Sequence, residues 1–203
     1  MKAYNLNKRN IIPRHTILVN LLVIVCCLFA PLLCSASSVH AASLDLKNMV
    51  LDNQAGAIIA RFGLNLKGDT KAEEALENGI KLKLECEATL YVHQSLWADS
   101  EVANKIYSDK LSYNSLSKEF VLEQPGNKNP LRNKNLTHLL QKGWDSIVLD
   151  LGPWSTLKRG ERYKLKLNVS LDQIDVPEWL KKTLFFWSWD VIPSATYQLD
   201  FTY

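Results

Sequence analysis

No acidic residue occurs before Asp45, and only one of the four cysteines, Cys86, lies beyond Cys34. The first absence leaves Lys2, Lys8, Arg9 and Arg14 as an uncompensated basic start. The second excludes an internal disulfide from any domain built after residue 41. Histidine is also scarce: beyond residue 41 only His93 and His138 occur. Neither stands near a Cys, His or carboxylate at metal-ligand spacing. Nucleophile elbows, phosphate-cradling glycine loops and metalloprotease motifs are missing. So are internal repeats and low-complexity tracts. The sequence therefore assigns no catalytic, cofactor-binding or metal-binding residue, although a base and a nucleophile far apart in sequence can still meet on folding.

What is present begins with an apolar run. Ile17 to Leu33, interrupted by Asn20 and Pro31, follows the basic start, and small residues from Ser35 to Ala42 follow the run. Val39 and Ala41 occupy the −3 and −1 positions of a cleavage after Ala41, so residues 1–41 read as a Sec-type signal peptide. The expected location is periplasmic or extracytoplasmic. The alternative is an uncleaved anchor that holds the chain in the inner membrane through residues 17–34, cytoplasm-in because its positive charges precede it. In that case membrane contact is confined to this segment. A lipid anchor fits poorly, because Leu33 before Cys34 is too large for lipoprotein processing. Without the four basic residues of residues 1–41, the 24 Lys and Arg fall to 20 against 21 Asp and Glu, a net charge of −1. The basic balance belongs to the leader, and no nucleic-acid partner is expected. Residues 42–203 suffice for one domain with a real core.

The clearest pattern is Ile80 to Val92. Ile80, Leu82, Leu84, Cys86, Ala88, Leu90 and Val92 alternate with Lys81, Lys83, Glu85, Glu87, Thr89 and Tyr91. Successive strand side chains point to opposite faces, so this is one long strand with a buried and a wet face. Residues 44–53 and 57–66 read as a hairpin about Gln54-Ala-Gly56. Thr70 and Glu73 have capping-box spacing ahead of a helix over Lys71–Asn78, and Gly79 suits its left-handed end. A strand is expected within Val102–Tyr113, with a helical turn near Glu101–Lys105 as the alternative. Another follows at Glu119–Glu123, then a loop over Gln124–Pro130. A second helix is expected over Leu131–Lys142, stopped by Gly143. Strands at Ser146–Leu151, Tyr163–Leu171 and Ala195–Tyr203 come next. Between the last two, Asp175 reads as the N-cap of a third short helix to about Leu184, and Phe185–Asp190 as extended. The fold class is mainly β: an antiparallel two-sheet sandwich, immunoglobulin-like, with two or three short helices.

Few side chains invite a functional reading. Trp187 and Trp189 are two apart and share a face on a strand. Exposed, they suit a protein partner or a sugar ring; buried, they are core. His93 falls on the wet face of the long strand and, like His138 on the second helix, reads as a solvated surface histidine. Trp187, Trp189 and His93 make the candidate partner surface. Cys86 reads as a small buried hydrophobe. Asp172, Asp175 and Glu178 could offer oxygens to calcium, but a strand end, an N-cap and a capping-box Glu explain them as well. Lys81, Lys83, Glu85 and Glu87 form a solvated face that discourages strand-to-strand aggregation. The sequons at Asn135 and Asn168 matter only in a glycosylating compartment.

The order of features carries a family resemblance. A signal peptide precedes Glu74-Ala-Leu-Glu-Asn-Gly-Ile80, which feeds the long strand. Then come Leu111-Ser-Tyr113, Leu116, Phe120 and an Asn/Pro loop before a Leu-rich helix. Gly160-x-x-Tyr163, Leu171-Asp172, Val176-Pro177, Leu180 and Trp187-Ser-Trp189 complete the series. This resembles the exported bacterial family called domain of unknown function 4390. Two departures are Lys81, where the family usually has proline, and His93-Gln94, where it has basic residues. The resemblance implies an envelope-side location and lends no catalytic residue or cofactor. Genes of the family often lie beside membrane sensor kinases of the nitrogen-regulation type, which suggests a signalling partner by association only. The expected function is thus an exported, non-catalytic interaction module of the bacterial envelope that meets an envelope or membrane protein. A periplasmic small-ligand or glycan-binding protein is the alternative, and requires a deep apolar pocket or a Trp-lined groove. An enzyme would need His93 or His138 in a cleft beside a carboxylate or hydroxyl.

Overall fold

The computed structural model describes residues 42–175 and 192–203. Nine strands and two helices follow in chain order: β1 Ser43–Gln54, β2 Ala57–Lys67, α1 Thr70–Glu77, β3 Lys81–Val92, β4 Ser100–Asn114, β5 Glu119–Glu123, β6 Leu131–Asn133, α2 Leu136–Trp144, β7 Ile147–Pro153, β8 Arg162–Ile174 and β9 Ala195–Thr202. A 3-10 turn at Trp154–Thr156 links β7 to β8. The strands form two antiparallel sheets, ordered β1-β2-β7 and β6-β5-β4-β3-β8-β9. The architecture is the expected sandwich-like one.

The alternation in β3 decides this arrangement. Its even positions from Leu82 to Leu90 (Leu82, Leu84, Cys86, Ala88 and Leu90) are buried and Val92 partly so; Tyr163, Leu165, Leu167, Val169 and Leu171 of the neighbouring β8 are buried too. Ile58, Ala60, Phe62 and Leu64 of β2, with Ile147 and Leu149 of β7, supply the small sheet's share of the same core. Each fully buried aliphatic side chain contributes about 1.5–3 kcal/mol. A register slip of one residue in β3 would turn that whole row to water, so the register is strongly fixed.

The first hairpin turns at Ala55 and Gly56, both at positive φ (51° and 83°). That is the geometry two-residue hairpins prefer, and Asn53 Oδ1 accepts the Gly56 N–H at 3.0 Å. At the end of α1, Gly79 has φ 86°. Its N–H donates to the Leu76 carbonyl at 2.9 Å, and the Ile80 N–H to the Ala75 carbonyl at 3.0 Å. This is a Schellman closure, and Ile80 and Ala75 are both buried beneath it. The other end of α1 departs from expectation. Thr70 is already helical, and Asp69 is the N-cap without a side-chain cap bond. The Asp69 carboxylate instead accepts from the Thr137 hydroxyl at 2.5 Å, tying α1 to α2.

Several other boundaries need correction. No helical turn forms near Glu101–Lys105. Residues 100–114 are one strand, with a bulge where Leu90 pairs Ala103 and Tyr91 pairs Glu101. That bulge explains the weak alternation there. Leu131–Asn133 is a short edge strand rather than the start of a helix. Asn135 caps α2 by accepting the His138 N–H at 2.8 Å. Gly143 does not stop α2, because Trp144 still belongs to it. The absent side chain has another purpose: a Cβ at Gly143 would lie 2.2 Å from Leu122 Cδ2 of β5. Asp175 has φ 53°, unlike the extended backbone of an N-cap, and its carboxylate pairs with Lys81 Nζ at 3.2 Å. The helix expected beyond Asp175, and the extended stretch with Trp187 and Trp189, lie outside the described residues. Among the described residues no helix is long and apolar enough to cross a membrane.

The sandwich has two distinct ends. Ala42 packs beside Gly68 at the end where β1 begins and β2 finishes. The connection after β3 lies at the other, because β3 starts from α1, which follows β2. Twelve residues of extended chain place these two ends of β3 about 40 Å apart.

Candidate functional site

The far end of β3 gathers the most unusual surface among the described residues. Residues 93–99 connect β3 to β4, and within them Leu96 is 90% and Trp97 81% exposed. A single exposed Leu is ordinary. An adjacent Leu–Trp pair at a loop apex is a different matter, since a free Trp leaves a large apolar area in water.

The base of that loop is held firmly. The His93 N–H donates to the Arg162 carbonyl at 2.8 Å. His93 Nδ1 lies 3.0 Å from Asp99 Oδ1, and Lys164 Nζ donates to Asp99 Oδ2 at 2.7 Å. The hydrogen bond from Lys164, then that from His93, holds the Asp99 carboxyl below the usual carboxylate range. Asp99 is therefore an anion clamped between His93 at the start of its own loop and Lys164 on β8. His93, expected as a solvated surface histidine, is half-buried and paired with Asp99. Its carboxylate sits six residues on, where only the folded loop brings it back.

Two open hollows flank His93. One, of about 430 Å³, is lined by Arg162, Lys164, Gln198 and Asp200. The other, of about 470 Å³, is lined by Val102, Lys158, Glu101 and Glu161. Tyr163 borders both. Its hydroxyl accepts the Lys158 N–H at 2.8 Å, and its ring stacks on Phe201 with centroids 5.5 Å apart. The charges lining the hollows balance: Lys158, Arg162 and Lys164 against Glu101, Glu161 and Asp200.

The other sequence candidates do not join this surface. His138 is exposed on α2. Trp187 and Trp189 lie outside the described residues. Cys86 is wholly buried, and burial pushes its thiol well above the usual range. Asp172 accepts from the Ser170 hydroxyl at 2.8 Å, and Asp175 pairs with Lys81. Among the described residues no three His, Cys, Asp or Glu side chains cluster to hold a metal ion. Lys83 and Glu85 pair with each other at 2.5 Å, as the solvated-face reading expects. Asn168 bonds Thr196 and Glu87 on the sheet surface.

One titratable residue escaped the sequence reading. Asp109 lies on the inward face of β4 and is only 1% exposed. Its Oδ2 accepts from Trp144 Nε1 at 2.7 Å and from the Tyr107 hydroxyl at 3.4 Å. Its Oδ1 has no hydrogen-bonding partner among the described residues. Burial pushes the carboxyl up to about 7 against the pull of those donors. The signal was in the alternation, for Asp109 stands between Tyr107 and Leu111 at inward parity.

The sequence model for a domain of unknown function (DUF4390) matches residues 41–200. The chain belongs to this DUF4390 family. The matched span contains both sheets except the last two residues of β9, together with the His93–Asp99–Lys164 clamp and the Asp109 network. No curated protein and no solved structure matches the chain. Membership in DUF4390 therefore brings no residue roles, and any role must come from the geometry itself.

Proposed function

We propose that this DUF4390 protein is an exported, non-catalytic interaction module of the bacterial envelope, and that it grips a protein partner with Leu96 and Trp97. The supporting observation is the pair itself, 90% and 81% exposed on a loop whose base is clamped by His93, Asp99 and Lys164. A projecting Trp on a fixed base loses little freedom on binding, and such anchors dominate interface energetics. The occupant is a concave apolar pocket on a protein rather than a lipid surface. The balanced charges beside the loop offer no net attraction to anionic headgroups. The basic, apolar and small-residue order of residues 1–41 supports export. A membrane sensor kinase is a suitable partner, on the strength of the gene association alone.

A photo-cross-linking side chain at position 97, compared in cells with one at Leu116, tests the reading. Leu116 is 95% exposed in the β4–β5 turn and serves as the control. One discrete adduct at 97, lost when Leu96 is changed to Ala and absent at 116, supports the proposal. Lipid adducts, or equal labelling at both positions, would refute it. Amino-terminal mass spectrometry and cell fractionation test export: an unprocessed cytoplasmic chain would overturn that half.

A further inference from the structure

We infer that Asp109 is a proton-controlled latch on α2: protonated, it keeps the last turn of the helix docked on the larger sheet, and charged, it loosens that turn. The latch lies at the joint between Trp144, the last residue of α2, and the inward face of β4. Trp144 is fully buried, and its indole N–H reaches Asp109. One residue earlier, the Gly143 carbonyl accepts from Gln124 Nε2 at 2.9 Å, and the same amide donates to the Tyr107 hydroxyl at 3.2 Å. Asp109, Tyr107, Gln124 and the end of α2 thus form one connected network. A half-satisfied buried network of this kind is sensitive to any change in charge.

Among the described residues no cation compensates the carboxylate. The titratable groups facing it are Tyr107 on its own strand and Cys86 on β3, and burial pushes both further toward their neutral forms. The hydrogen-bond donors to the Asp109 carboxylate are the Trp144 indole and the Tyr107 hydroxyl, both to Oδ2. Gln124 after β5 is uncharged, Lys142 and Asp145 at the end of α2 are exposed, and Ile147 and Leu149 of β7 are apolar. The charged form can gain water on its unpartnered Oδ1 most directly by moving Trp144 aside. That movement would uncover the buried stripe of Leu136, Leu139 and Leu140 against the sheet. Proton uptake therefore closes the helix and proton loss opens it, on a site remote from the Leu96–Trp97 loop.

Hydrogen exchange of the full chain, corrected for the intrinsic pH dependence of exchange, reads the latch directly. A carboxyl that titrates near 7 when docked and at the ordinary aspartate value when released predicts opening of α2 roughly tenfold more often at pH 8 than at pH 6. Amides of β3 stay protected throughout, and in Asp109→Asn the α2 response is flat. Equal opening free energies for α2 and β3 would show that only global unfolding frees Asp109 and would overturn the latch, as would an α2 indifferent to pH. A carbon-13 titration of the Asp109 carboxyl in the unmodified chain keeps the test decisive if Asp109→Asn fails to fold. A carboxyl already charged at pH 5.5 would also sink the proposal.

Discussion

Trp144 and Asp109 stand 35 positions apart in sequence, yet the indole N–H of one lies 2.7 Å from a carboxylate oxygen of the other in the core. The bond stabilises the charged carboxyl, while burial opposes it and prevails. This fixes the sign of a pH effect. Asp109 titrates at about 7 when folded and at the ordinary aspartate value when unfolded. Between those values the folded chain holds a proton that the unfolded chain has released. Stability therefore falls as pH rises from about 4 to 7, and the loss is complete above that window. The full effect is on the order of 4 kcal/mol, at about 1.4 kcal/mol per pH unit. Denaturant titrations from pH 4 to 8.5 should show this decline, and Asp109→Asn should flatten it. A stability curve that rises through the window would contradict the assignment.

Two glycines admit the contacts that seat α2. A Cβ at Gly143 would strike Leu122 Cδ2, and a Cβ at Gly63 would stand 2.5 Å from the Asp145 carbonyl. The first obstacle is a movable side chain and the second is backbone. Gly63→Ala should therefore cost more, about 3 kcal/mol, against about 1–2 kcal/mol for Gly143→Ala. Leu122→Ala should lose less stability in the Gly143→Ala background than in the parent, because the two side chains would compete for one space. Chemical denaturation of the four-variant cycle measures the coupling; strict additivity would mean that α2 shifts freely on β5.

These contacts show where the sequence stops being legible. Period-two alternation in β3 and β8 identified the buried rows because the rule is local. Gly79 was legible for the same reason: a left-handed helix end is written within a few residues. Gly143 was misread as a stop signal, since nothing nearby reveals that β5 presses against it. His93 had its carboxylate six residues away in a loop, a spacing that no helix or strand period connects. Asp109 could be placed inward from its parity, but its partner Trp144 comes from a separate element. The Leu96–Trp97 pair was passed over because the alternation of β3 ends at Val92 and no local period says which residues of a loop project.

Tyr197 guards the seam between two edge strands. Its hydroxyl donates to the Leu44 carbonyl at 2.6 Å and accepts the Leu46 N–H at 3.1 Å, joining β9 to β1. These are outward groups of an edge that would otherwise invite another strand. Tyr197→Phe removes both bonds and should destabilise the fold by about 1–2 kcal/mol. Faster amide exchange in β1 and a concentration-dependent rise in aggregation should accompany the loss. Unchanged protection of Leu46 would show that the seam is held by packing alone.

The clamp on Asp99 should respond to acid in the opposite direction from Asp109. Lys164 and His93 lower the Asp99 carboxyl in the folded chain, so its contribution is present above the unfolded value and disappears as pH falls through the lowered folded one. Asp99→Asn imitates the protonated carboxyl at neutral pH. It keeps an acceptor for Lys164 but removes the charge that attracts both partners. The expected outcome is a loop 93–99 that is cut faster by protease, with the denaturation midpoint little changed because the clamp is only half-buried and ties down a surface loop. If Trp97 is the anchor, the same variant should weaken partner cross-linking at position 97 without abolishing it, since the side chain remains and only its fixed presentation is lost. Full cross-linking from a loop shown to be loosened would mean that the clamp serves stability alone.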